Sequence, residues 1–204
     1  YIKGKIFDAD TLLYQMLEGS DNDGFSKLFY DLNSTLKINV DKVYLDKKSY
    51  LNNVKAKIIF RKSELDNLNL VSKFSDNKEL KLTINTNKNN EKITTLFSGN
   101  AKPLVKRYKF INGFEEGVLD FYSIKKNKSS NSKLKIYNFK LKEVPALTKI
   151  LTLASLQGIA DLLTGEGIRF DDFEMSFSQK GKLMTIEEIY AIGPAISILM
   201  EGYI

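Results

Sequence analysis

Val54-Lys55-Ala56-Lys57-Ile58-Ile59-Phe60-Arg61 decides the fold. Its even positions are apolar and its odd positions mostly basic, and side chains that alternate with period two point to opposite faces of an extended strand. One face of this strand therefore belongs against an apolar layer and the other in water. The signature recurs downstream. Leu80, Leu82 and Ile84 alternate with Lys81, Thr83 and Asn85, and Phe173, Met175 and Phe177 alternate with Glu174, Ser176 and Ser178. Similar stretches cover 1–7, 36–45, 65–74, 91–98, 114–124, 133–141, 183–192 and 195–203. Turn formers separate several of them: Ser75-Asp76-Asn77-Lys78, Asn87-Lys88-Asn89-Asn90 and Gln179-Lys180-Gly181-Lys182. Connections this short predict that neighbouring strands pair antiparallel, as a meander.

Helices are few. One is expected near Thr11 to Leu17 with Asp10 as its cap, and another near Pro103 to Tyr108. The longest is expected over 145–163: Pro145 suits a first helical turn, only Gly158 interrupts the run, and Gly165 and Gly167 close it. Its apolar positions, from Leu147, Ile150 and Leu151 to Leu162 and Leu163, occupy most of the circumference, so the helix needs a covering layer. Lys149, Gln157 and Asp161 argue against a membrane span, and its acidic surroundings argue against an interfacial helix. Closure of a core or groove is the expectation.

The 204-residue chain is 43% apolar and 27% charged, an ordinary globular composition that excludes collagenous, low-complexity and wholly disordered chains. It has no cysteine and no histidine. Disulfide stapling and thiolate metal sites are thereby excluded, and the usual general base and commonest metal ligand are missing. No stretch of uncharged apolar residues is long enough to span a membrane. Tyr1 and Ile204 both fall in strand-like runs, which predicts a piece of a longer polypeptide continuing the sheet at both ends, with self-association edge to edge when isolated.

The net charge of +6 is unevenly placed: residues 1–142 carry 27 basic and 16 acidic side chains, and residues 143–204 carry 4 and 9. Only three of the 31 basic residues are arginine, so the forked recognition that suits specific phosphate binding is scarce. The densest run, KKNKSSNSKLKIYNFKLK at 125–142, has seven lysines and no acid. Lys125, Lys126 and Lys128 with Ser129 to Ser132 read as a hairpin loop, and Lys133, Lys135, Tyr137, Phe139 and Leu141 as one strand face. Such lysines either solvate a sheet edge or attract anionic lipid headgroups, worth about 1 kcal/mol each near a charged surface. Tyr137 and Phe139 alone make no stacking platform, so no nucleic-acid partner is expected.

Acidic pairs occur at Glu115-Glu116, Asp171-Asp172 and Glu187-Glu188. Adjacent strand residues point to opposite faces, so no pair places two carboxylates in one site as a glycosidase requires. Gly165-Glu166-Gly167 lacks the helix and the lysine of a phosphate loop and reads as a turn. No enzymatic chemistry, catalytic residue, metal site or cofactor is expected. About ten half-apolar strands with one long helix must bury their faces on a second sheet, in a barrel, or around a ligand.

The C-terminal run "LKIYNFKLKEVPALTKILTLASLQGIADLLTGEGIRFDDFEMSFSQKGKLMTIEEIYAIGPAISILMEGYI", residues 134–204, resembles the C-terminal region of the AsmA-like family, particularly its large YhdP-type members in Gram-negative bacteria. The likeness is an order of parts: a strand ending near Phe139, Val144-Pro145-Ala146-Leu147, a leucine-rich "SLQG" helix, "GEGIRFD", a strand, a glycine turn and "IGPAISILMEGYI". Upstream, "GNAKPLVKRYKFINGFEEGVLDF" at 99–121 is similar to the short helix and glycine-bearing strand of the same family, while residues 1–98 match only in style.

The resemblance implies a mainly β fold, an elongated, curved antiparallel meander sheet forming a β-groove, with one long amphipathic helix and one or two short ones. It implies a groove segment at 1–98 and the family's C-terminal region at 99–204. It also implies transport of phospholipid from the inner to the outer membrane across the periplasm, with an inner-membrane anchor elsewhere in the intact protein. On that reading the groove wall is Val54, Ala56, Ile58, Phe60, Leu80, Leu82, Ile84, Phe173, Met175, Phe177, Ile196 and Ile198, and the headgroup or membrane-surface residues are Lys125, Lys126 and Lys128. The alternative is a structural module of envelope assembly whose apolar face packs on its own helix or on a partner chain.

Overall fold

The computed structural model describes residues 1–10, 33–61, 64–106, 113–142, 167–181 and 183–203. The fold is mainly β: a single open sheet of eleven strands whose spatial order is the order of the sequence. The strands are β1 (Ile2–Asp8), β2 (Ser34–Tyr44), β3 (Tyr50–Arg61), β4 (Glu64–Phe74), β5 (Glu79–Thr86), β6 (Lys92–Ser98), β7 (Phe114–Lys126), β8 (Ser129–Leu141), β9 (Ile168–Lys180), β10 (Leu183–Ile192) and β11 (Ser197–Tyr203). The helix α1 (Lys102–Val105) is one turn long and carries Pro103 in its first turn, where the missing N–H costs nothing. The helices expected at 11–17 and 145–163 lie outside the described residues. The chain divides into two compact units, Tyr1–Leu96 and Phe97–Ile204.

In the first unit, β2–β3, β3–β4 and β4–β5 pair antiparallel through short turns. Asp46 closes the first turn by accepting from the Lys48 and Ser49 N–H groups at 2.7 Å. Asn77 between β4 and β5 and Asn90 between β5 and β6, at φ 64° and 57°, supply the left-handed positions of those turns, as the turn formers predicted. One pairing departs from the expected meander. β1 lies parallel to β2, Ile2 opposite Ile38 and Phe7 opposite Val43. A parallel pair needs a long crossover, and the residues between Asp8 and Ser34 supply that length.

In the second unit β7–β8, β8–β9, β9–β10 and β10–β11 are all antiparallel. The β7–β8 connection is tighter than expected: the strands reach Lys126 and restart at Ser129, so Ser129 to Ser132 belong to β8 rather than to a loop. The expected common face of Lys133, Lys135, Tyr137, Phe139 and Leu141 also breaks. Asn138 sits at φ 51°, and beyond it the alternation changes side, so that Ile136 and Phe139 are both buried. Opposite it, Gly117 at φ 85° permits the same change in β7, where an added Cβ would come within 3.1 Å of the Phe139 Cβ. Phe139 then stacks between Phe114 and Phe170, each at 5.2 Å between ring centroids, with Phe173 edge-on at 6.3 Å. This aromatic cluster anchors one end of the unit.

Candidate functional site

Residues paired across neighbouring strands share a face, so the registers assemble individual side chains into rows running across the sheet. In the first unit one row is Ile2, Ile38, Ala56, Leu70 and Leu82. The next is Leu36, Ile58, Leu68 and Ile84. Val54 faces Val40, and Leu80 faces Ser72, on the same side. Phe60 pairs with Ser34 and Leu65. The structure thus brings Val54, Ala56, Ile58, Leu80, Leu82 and Ile84 onto one side of this unit. Lys55 and Lys57, exposed, stand on the other, opposite Asn39 and Lys37.

The second unit repeats the arrangement. Leu119, Ile136, Phe173, Ala191 and Ile198 form one row across five strands. Phe121, Leu134, Met175, Ile189 and Met200 form the next, followed by Ser123, Ser132, Phe177 and Ile186. Phe173, Met175, Phe177 and Ile198 therefore share one face. Ile196 does not join them, because it precedes β11 in a turn where its carbonyl accepts the Gly193 N–H at 2.9 Å. The contributions of β2, β4, β7 and β8, namely Leu36, Ile38, Leu68, Leu70, Leu119, Phe121, Leu134 and Ile136, were not singled out from the sequence. The same period-two signal marks Leu36 with Ile38 and Leu68 with Leu70.

Burial along these faces is graded. Val40, Val54, Leu51, Phe74 and Leu80 in the first unit and Leu119, Ile136, Phe170 and Ala191 in the second are buried. Ile58, Leu68, Leu82 and Ile84, and Phe173, Met175, Phe177 and Ile198, are half-buried. Ser72 is 94% covered, and its Oγ has no hydrogen-bond partner.

The opposite face is charged, and in the second unit part of it is internally matched. Glu174 on β9 accepts from Lys133 and, at 2.6 Å, from Lys135, both on β8. These hydrogen bonds, Lys133 first, hold the Glu174 carboxyl below the ordinary glutamate value, and Glu174 in turn raises Lys135. Glu115 is lowered in the same way by the hydrogen bond from Lys102 on α1, at 2.5 Å. Lys42 lies 4.4 Å over the Tyr50 ring. These contacts pair surface charges and leave no nucleophile beside a base. Among the described residues no cluster of carboxylates is arranged to hold a metal ion, and no helix is long and apolar enough to cross a membrane.

Lys125, Lys126 and Lys128 are exposed at the β7–β8 turn, and the Gly181 N–H donates to the Lys128 carbonyl at 2.9 Å, tying the β9–β10 turn alongside. No family model, curated protein or solved structure matches the chain.

Proposed function

We propose that this chain is a segment of a lipid-transfer conduit that carries phospholipid acyl chains along the apolar face of its sheet. The observation that supports this reading is the row structure: in each unit several strands contribute aliphatic and aromatic side chains to one side, half-buried at Ile58, Leu68 and Leu82 and at Met175 and Phe177. An acyl chain gains roughly 0.8 kcal/mol for each CH₂ removed from water, so a continuous apolar strip holds it without a specific polar contact. Few hydrogen-bonding groups on the strip leave the chain free to slide. In this reading the sheet curves into an elongated groove, the AsmA-like order of parts at 99–121 and 134–204 supports a bridge between inner and outer membrane, and the protein works in the periplasm from an inner-membrane anchor.

Mass spectrometry of gently purified protein tests the proposal. Co-purifying phospholipid is expected, and Ile58→Asp or Met175→Asp should abolish it while circular dichroism stays that of a β-sheet, because the carboxylate would stand in the acyl path. A second reading, a structural module of envelope assembly, draws on the buried stretch around Val40, Val54, Phe74 and Leu80, where the face is already covered. Protein free of lipid, with both variants unchanged, would favour it.

A further inference from the structure

The apolar face of the second unit changes polarity in order along its strands. After the row of Phe121, Leu134, Met175, Ile189 and Met200 comes Ser123, Ser132, Phe177 and Ile186, where the two serine hydroxyls bond each other at 2.9 Å. The next row on that face is Lys125, Ser130, Gln179 and Met184. Same-face rows are about 6.6 Å apart, so within two steps β7 passes from hydrocarbon at Phe121 through hydroxyl at Ser123 to cation at Lys125, while β10 stays apolar through Ile186 and Met184. On the other face the sheet ends in Lys126, Ser129, Lys180 and Leu183, a row across four strands with Leu183 57% exposed.

The segments that make this end, SIKKNKSSNS at 123–132 and FSQKGKLMTI at 177–186, contain five lysines and no acidic residue. The hydrogen bond from Gly181 to Lys128 holds their turns together. A protein surface built only to stay solvated mixes both signs, as the Lys133–Glu174–Lys135 cluster does farther along the same strands.

We propose that this end of the second unit docks on an anionic lipid bilayer, with Lys125, Lys128 and Lys180 at the headgroup phosphates and Leu183 inserted among them. The inference rests on the lipid-conduit reading and names the surface with which the conduit exchanges its cargo. Charge complementarity selects the partner, and the composition selects a membrane over nucleic acid. Neither segment holds an arginine fork for a phosphodiester, and the single aromatic, Phe177, lies on the apolar face. A phosphate above and an acyl chain below match the order of the rows.

Flotation with vesicles tests this directly. The protein is expected to float with vesicles of phosphatidylcholine and phosphatidylglycerol, weakly with phosphatidylcholine alone, and to be released by salt. The combined variant Lys125→Gln, Lys128→Gln, Lys180→Gln should weaken adsorption about a hundredfold. Leu183→Ser should weaken it about tenfold or more through lost insertion. A control variant of the first unit, Lys37→Gln, Lys55→Gln, Lys57→Gln, should change it less than about threefold, since the proposal assigns docking to the second unit alone. An equal loss in the control, or vesicle binding that a single-stranded oligonucleotide displaces, would overturn the proposal. Co-purified lipid, scored separately, distinguishes the two readings: protein that holds lipid but does not float removes the docking end alone, and protein that floats but never holds lipid removes the conduit.

Discussion

At Gly193 a Cβ would fall 2.1 Å from the Arg169 carbonyl oxygen, a distance that no side chain tolerates. The glycine lets the turn between β10 and β11 pass against the start of β9. Gly193→Ala is expected to cost about 1–3 kcal/mol in urea unfolding, because backbone rather than a flexible side chain must yield. A loss under about 0.5 kcal/mol would show that the close approach is not required. Ser72 is the opposite case. Its buried hydroxyl has no partner and faces Leu80 on the apolar side, so Ser72→Ala should be neutral or stabilising by up to about 1 kcal/mol. A clear destabilisation would mean that the hydroxyl bonds something bound on that face.

Single elements were legible where alternation was uninterrupted. Val54 to Phe60, Leu80 to Ile84 and Phe173 to Phe177 kept the faces that their period assigned, because a slip of one residue would expose the whole apolar set. Legibility ended at the left-handed positions. Asn138 and Gly117 flip β8 and β7, so a strict parity count puts Phe139 with Lys135, whereas the fold puts it in an aromatic stack. Asparagine carries no mark of this in the sequence, since it stands in turns at Asn77 and Asn90 and in regular strand pairing at Asn67 and Asn69 as well. The parallel β1 was hidden for another reason: local pattern specifies a strand but not its partner. The β8–β9 pairing yields a prediction about pH. Glu174 ionises at lower pH in the fold than in the unfolded chain, so its contribution is present above the ordinary glutamate range and is lost as pH falls through its depressed value. Lys135, raised, contributes below the ordinary lysine value and loses that contribution as pH rises through its higher folded value. With Glu174 29% and Lys135 38% exposed, solvent screening holds the effect to about 1 kcal/mol or less. Glu174→Gln should therefore flatten the fall in urea midpoint between neutral pH and about pH 3, and an unchanged slope would show that these pairs contribute nothing.

For the whole molecule the decisive feature is that strand order follows sequence order. Within each unit the described strands pair only with the strands next to them in the chain, so the strand pairings form a linear series. Such a series unfolds like a repeat array, in which each neighbour interface adds its own increment and cooperativity is limited. The interior of each series has two partners per strand, and β1 and β11 have one. Native-state hydrogen exchange should therefore give the slowest amides in β3, β4, β8 and β9 and faster exchange in β1 and β11, with a gradient between them. The denaturant slope should fall below that of a compact domain of this length, because the chain does not expose all its buried surface in one step. If the apolar face is a lipid site, bound phospholipid links successive strands through one ligand, and the gradient should flatten when lipid is present. Uniform protection in all strands without lipid, together with a single transition of full slope, would show that the sheet is closed over a common core and that no face is left to hold an acyl chain.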